Sequence, residues 1–145
     1  MAQWFETKLR YDKVMENGAV KKVTEAYLVD ALSFTEAEAR ITEEMKSRIS
    51  GDFEVKAVKK AKIAGIFPSD GGGWWYKIRA MFISLDEKTG AEKLSPHDFM
   101  VEAGDIEEAI SGFKSEISLM ADYKIAGVTE TAILDIFPIN LSNDK

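Results

Sequence analysis

The chain contains one histidine, His97, and no cysteine, which narrows the chemistry its side chains could perform. Without thiols there is no disulfide, no cysteine nucleophile and no Cys-ligated zinc, and a single imidazole cannot build a multi-histidine metal site. A Ser-His-Asp relay needs only one histidine, but His97 stands in the polar run Ser95-Pro96-His97-Asp98, where an imidazole is ordinarily solvated. Gly71-Gly72-Gly73 lacks the Lys-Ser/Thr of a phosphate loop and precedes a strand pattern rather than a helix. Paired carboxylates for glycoside hydrolysis would need a cleft, of which the sequence carries no sign. The expectation is a protein that is not an enzyme, with no cofactor and no metal.

Binding chemistry is better represented. Trp4 is followed at alternate positions by Lys8 and Arg10, and Trp75 by Lys77 and Arg79. In a strand each set shares one face, opposite Phe5 and Tyr76 respectively. An indole beside strand-borne cations suits single-stranded nucleic acid, because bases stack on the ring while Lys and Arg follow the phosphates. Lys56, Lys59, Lys60 and Lys62 add a cationic run within seven residues. A plainer account covers the same residues, with the tryptophans capping a sheet and the lysines keeping an edge strand from pairing. Acidic residues on the helices, Glu36, Glu38, Glu43 and Glu44 in the first and Glu107, Glu108 and Glu116 in the second, offer a docking surface for a protein instead.

The elements that must position these residues come from an internal repeat. Trp4-Phe5 matches Trp75-Tyr76, and Tyr27-Leu28-Val29-Asp30-Ala31 matches Phe99-Met100-Val101-Glu102-Ala103. Asp52-Phe53-Glu54-Val55 matches Asp122-Tyr123-Lys124-Ile125, and Ile66-Phe67-Pro68 matches Ile136-Phe137-Pro138. The offset stays between 70 and 72 and changes only where turns are expected.

Within each copy, Phe5, Thr7, Leu9 and Tyr11 alternate with Trp4, Glu6, Lys8 and Arg10, the pattern of a half-buried strand. Asn17-Gly18 predicts a type I′ hairpin, and residues 86–90 a longer turn closed by glycine. The motifs Ser33-Phe34-Thr35-Glu36 and Asp105-Ile106-Glu107-Glu108 are capping boxes opening helices of about 15 residues. Their apolar stripes are Phe34, Ala37, Ile41, Met45 and Ile49, and Ile106, Ala109, Ile110, Phe113, Ile117 and Met120. Gly51 is read as the first helix's stop, and residues 52–62 and 122–133 as third strands.

Together these predict an α+β fold, a tandem duplication of a β-β-α-β unit. A joined antiparallel sheet of about six strands would carry both helices on one face, with a closed barrel, or exchange of hairpins between the copies, as the alternative packing. The predicted division is a first repeat at 1–68, a flexible Gly-rich joint at 69–73, a second repeat at 74–138 and a tail at 139–145. The predicted core is Phe5, Leu9, Tyr11, Tyr27, Val29, Phe53 and Val55 with Tyr76, Ala80, Phe82, Phe99, Val101, Tyr123 and Ile125.

The net charge of −6 is unevenly spread, with 12 basic and 12 acidic residues over 1–72 against 7 and 13 over 73–145. That excludes a globally basic nucleic-acid binder but not a local basic face. The longest uninterrupted apolar run, residues 63–67, is far below the roughly 20 residues of a membrane span, and the N-terminus has no signal-peptide pattern. A cytoplasmic protein that does not enter membranes is expected, its oligomeric state open.

The runs Trp4-Phe5-Glu6, Arg10-Tyr11-Asp12-Lys13, Lys22-Val23-Thr24-Glu25 and residues 27–40 resemble a family of short proteins from gut Bacteroidetes and their phages and mobile elements. Phe82-Ile83-Ser84-Leu85-Asp86-Glu87-Lys88 and Val128-Thr129-Glu130-Thr131-Ala132 carry the same resemblance through the second half. It implies provenance and cytoplasmic life, and no activity, because the family is a domain of unknown function. The sequence therefore predicts a binding module for single-stranded nucleic acid through Trp4, Lys8, Arg10, Trp75, Lys77 and Arg79 with Lys56, Lys60 and Lys62. The alternative is a protein-interaction or host-modulating factor acting through acidic helices or sheet edges.

Overall fold

The computed structural model describes residues 3–117 and 122–138; the predicted tail at 139–145 and Met120 of the second helical stripe lie outside them. Ten elements follow in order: β1 (Gln3–Val14), β2 (Val20–Ala31), α1 (Phe34–Lys46), β3 (Phe53–Ala61), β4 (Gly65–Phe67), β5 (Trp74–Leu85), β6 (Glu92–Ala103), α2 (Ile106–Ile117), β7 (Tyr123–Glu130) and β8 (Ile133–Phe137). The fold is α+β, and both halves have the order β-β-α-β-β.

The expected joined six-stranded sheet does not form. The strands make two four-stranded sheets, ordered β3-β1-β2-β8 and β4-β6-β5-β7. One compact unit comprises Met1–Ala61 with Ala132–Lys145, the other Lys62–Thr131. The compact units thus differ from the predicted division at 1–68 and 74–138, because the last short strand of each half belongs to the other half's sheet. β8 runs parallel to β2, and β4 parallel to β6.

In the first unit β1 pairs antiparallel with β2 and β3, so that Phe5 faces Val29 and Leu9 faces Val55. Phe5, Leu9, Tyr27 and Val29 are buried with Ala37, Ile41 and Met45 of α1, and Tyr11, Phe53 and Val55 pack at the margin. Burial of these side chains against the helical stripe is the main stabilising term, because a helix and a sheet each have one apolar face to remove from water. In the second unit Tyr76, Ala80, Phe99 and Val101 pack under Ala109, Phe113 and Ile117, with Phe82, Tyr123 and Ile125 at the margin. Every predicted core position thus lies in or against one of the two cores. A register shift falls between Lys8 and Leu9 in one unit and between Arg79 and Ala80 in the other, a bulge at matching places.

Both capping boxes form. The Glu36 amide donates to Ser33 Oγ at 3.1 Å and the Glu108 amide to Asp105 Oδ1 at 2.8 Å. The glutamates reach back to the amides of Leu32 and Gly104, one residue before the cap. Both stripes begin later than predicted, since Phe34 and Ile106, at the first helical positions, are 49% and 47% exposed. α1 ends at Lys46 with Ser47 as its cap, well before Gly51, whose φ of +95° serves the turn into β3 instead.

The first hairpin also departs from expectation. Asn17 has no positive φ, so the turn is not type I′; the Gly18 amide donates to the Met15 carbonyl at 2.9 Å and Gly18 takes φ +84°. This is a type I turn closed by a left-handed glycine, the usual three-residue alternative. Residues 69–73 are not a loose joint but a bonded turn of the second unit. The Gly72 amide donates to the Ser69 carbonyl at 3.1 Å, and the Ser69 amide to Glu102 Oε1 at 3.0 Å.

Candidate functional site

The sheet face of the first unit that points away from α1 carries Trp4, Glu6, Lys8 and Arg10 of β1. Across from them on β2 stand Asp30, Leu28, Ala26 and Thr24, and on β3 Ala61, Lys59, Ala57 and Glu54. Trp4 is half-buried, while Lys8, Arg10 and Lys59 are exposed. Among the described residues no carboxylate lies within ion-pair distance of these three cations; the nearby pairs are Lys22–Asp12 and Lys56–Glu54, both 3.6 Å. Ala57 and Ala26 flank Lys8; on this same face Ala26 and Leu28 of β2 are buried, 4% and 2% exposed, so the exposed part of the face beside Lys8 is its β3 side.

The second unit does not repeat this arrangement. Trp75 is only 6% exposed, so its ring is no stacking platform, and the expectation of two matched platforms fails there. Arg79 is engaged by Asp98 in a two-pronged bond, Nε to Oδ1 at 2.8 Å and Nη2 to Oδ2 at 3.1 Å. The hydrogen bond and charge of Arg79 hold the Asp98 carboxyl below its usual range. The geometry follows from register, because Arg79 and Asp98 are direct cross-strand partners. Lys77 is exposed beside Met100, which is itself buried.

The lysine run of the first repeat is dispersed too. Lys56 sits in the bulge and pairs with Glu54, and Lys60 is in register with Phe5, on the helix-side parity. Lys62 lies past β3, in the other compact unit. Lys59 is the member of the run that shares a face with Lys8 and Arg10. The predicted nine-residue set therefore reduces, on one continuous surface, to Trp4, Lys8 and Arg10, with Lys59 added.

A second polar constellation stands where the sequence suggested only core. Glu25 lies opposite Leu9, on the helix-side parity, and accepts the Tyr27 hydroxyl at 3.0 Å and the Tyr11 hydroxyl at 3.1 Å. Its counterpart in the second unit is His97, opposite Ala80, whose ring lies 5.1 Å from that of Phe82. The alternation that places Tyr11 and Tyr27 inward places Glu25 inward as well, and that was the available signal. Burial, then the bond to Glu25, raises both phenols above their usual value, Tyr27 more strongly. A phenol whose folded value is raised contributes stability in full below the unfolded value, about pH 10, and loses it as pH rises through the folded one. Melting temperatures should therefore fall above about pH 10, less steeply in Tyr27→Phe; equal alkaline limbs in the two proteins would refute the coupling.

No group of three or more acidic or histidine side chains that could hold a metal ion occurs among the described residues. No helix among them is long and apolar enough to cross a membrane. The family model described as a domain of unknown function, DUF4494, matches residues 3–139. No curated protein and no solved structure matches the chain.

Proposed function

The chain belongs to the DUF4494 family, whose description assigns no chemistry, and on the geometry of the first unit we propose that it is a non-enzymatic module binding single-stranded nucleic acid weakly and without sequence preference. The observation that carries this reading is the exposed stretch of β1 where Lys8 and Arg10 stand unpaired among the described residues, on the same strand face as the part-buried Trp4. One indole and two or three cations suit a short stretch of strand, with stacking contributing about 1–3 kcal/mol per base and the phosphates the remainder. The acidic balance of the chain opposes tight binding, which sets the expected affinity near the micromolar range. The reading includes a cytoplasmic setting and, from the sequence resemblance, an accessory role in a phage or mobile element of gut Bacteroidetes.

Fluorescence anisotropy of labelled oligo-dT across a salt series tests it. Binding should weaken steeply with salt, as counterion release requires, and Lys8→Glu with Arg10→Glu should abolish it. Trp4→Ala should weaken it by about 1–3 kcal/mol. Trp75→Phe, Lys77→Ala and Arg79→Ala should leave it unchanged. Absence of binding at low salt, or binding indifferent to the β1 variants, would favour a protein partner instead. That second reading is supported by β3 and β7, each of which ends its sheet among the described residues.

A further inference from the structure

Each sheet is completed by a short strand from the other repeat. β8 follows the third strand of the second repeat, yet it lies against β2 with Phe137 opposite Val29. β4 follows the third strand of the first repeat, yet it lies against β6 with Phe67 opposite Val101. The two seatings are equivalent in register: Phe67 and Phe137 are repeat counterparts, and so are Val101 and Val29. Only residues 62–64 and 131–132 separate each short strand from the strand before it.

The seats are built alike. Phe137 is 7% exposed, stacks on Tyr27 with ring centroids 5.6 Å apart, and lies under the Arg48 guanidinium at 4.8 Å. Arg40 Nη2 donates to the Pro138 carbonyl at 3.2 Å, and Arg48 pairs with Asp135 at 3.6 Å. Phe67 stacks on Phe99 at 5.7 Å and meets Phe113 at 6.2 Å. The Ala64 amide donates to the Asp98 carbonyl at 2.7 Å, and a Cβ on Gly65 would come within 3.0 Å of the Phe99 ring. In both, an aromatic side chain closes the core while the backbone extends the ladder, the physics of donor-strand addition.

We propose that each Ile-Phe-Pro segment is a donor strand and that the edges of β2 and β6 are its acceptor sites, so that residues 1–70 and 71–145 form a non-covalent pair that does not depend on the continuity of the chain between them. The partner each acceptor fits is an extended Ile-Phe-Pro segment running parallel to it. Separation of the halves requires both donors to leave, which exposes Phe67 and Phe137 and uncovers Tyr27, Phe99 and Phe113 together. Reciprocal donation makes the second contact intramolecular once the first has formed, so the pair is tighter than either strand alone.

The test uses the full chain with a protease site inserted between Asp70 and Gly71, folded first and cut afterwards. The cut protein should elute as one species with the mass of the whole chain and an unchanged circular dichroism spectrum. Phe67→Ala with Phe137→Ala should weaken the cut pair by at least about tenfold, whereas Leu134→Ala, half-exposed on β8, should not. Should the double variant fail to fold, synthetic peptides of residues 62–68 and 131–138, added together in excess so that both acceptors are occupied, should release the halves of the cut wild-type protein in a dose-dependent manner. Halves that separate on cutting at micromolar concentration overturn the proposal. A pair indifferent to the two peptides together, and to the double variant where that folds, overturns it equally.

Discussion

Phe113→Ala is expected to destabilise the protein by about 3–5 kcal/mol, the range for deleting a buried aromatic side chain from a packed core. Phe113 is fully buried, and its ring meets Phe99 at 5.1 Å, Tyr123 at 5.7 Å and Phe67 at 6.2 Å. Its loss opens a cavity walled by rings that belong to three different strands and cannot collapse together, so the surrounding contacts are forfeited rather than remade. Phe34→Ala, which the helical spacing alone rated equal to it, should cost clearly less. Phe34 is 49% exposed, and its ring meets that of Phe5 edge-on at 5.1 Å. Urea unfolding of the two variants side by side measures the difference; equal losses would contradict the packing described here.

Gly73→Ala should be nearly as damaging although it adds a single methyl group. Gly73 has φ +133°, and a Cβ there would lie 2.3 Å from the Ala103 carbonyl oxygen and 2.6 Å from its carbon. Those are backbone atoms at the end of β6, paired with Trp74, so no flexible side chain can yield. Backbone strain and forced displacement together put the cost at roughly 2–5 kcal/mol. Gly71→Ala, with only the Ser69 Oγ at 4.0 Å and no positive φ, should be close to neutral. Thermal denaturation of the pair separates a conformational demand at Gly73 from the general flexibility of a glycine-rich connection. Equal melting temperatures would rule the demand out.

Local features were legible because they depend on neighbours along the chain. Alternation places Phe5, Leu9, Tyr27 and Val29 on one side of a sheet whatever lies beyond it, and the capping boxes at Ser33 and Asp105 are closed by residues three positions on. The helix at 106–117 buries Phe113 for the same reason. The free face of β1 was also legible, since the parity that buries Phe5 exposes Lys8 and Arg10. Features that depend on a partner strand were not. Arg79 counts as a free cation until register sets Asp98 opposite it, and it is Lys59 rather than Lys60 that shares the face of Lys8 because β3 shifts its pairing at a bulge.

The sequence by itself determined the α+β class, the equivalent strands and helices of the two halves, the core stripes and the strand face carrying Trp4, Lys8 and Arg10, because each follows from periodicity and capping over a few neighbouring residues. Only the tertiary structure decided that the strands form two sheets rather than one, that Trp75 is buried, and that Ile66-Phe67 and Ile136-Phe137 complete the sheets of opposite halves. A strand of three residues, or of five, has little periodicity of its own, and its place is set by which edge and which aromatic seat it can reach. That choice rests on contacts between Tyr27 and Phe137, 110 positions apart, and between Phe67 and Phe99, 32 apart, and no local pattern encodes them.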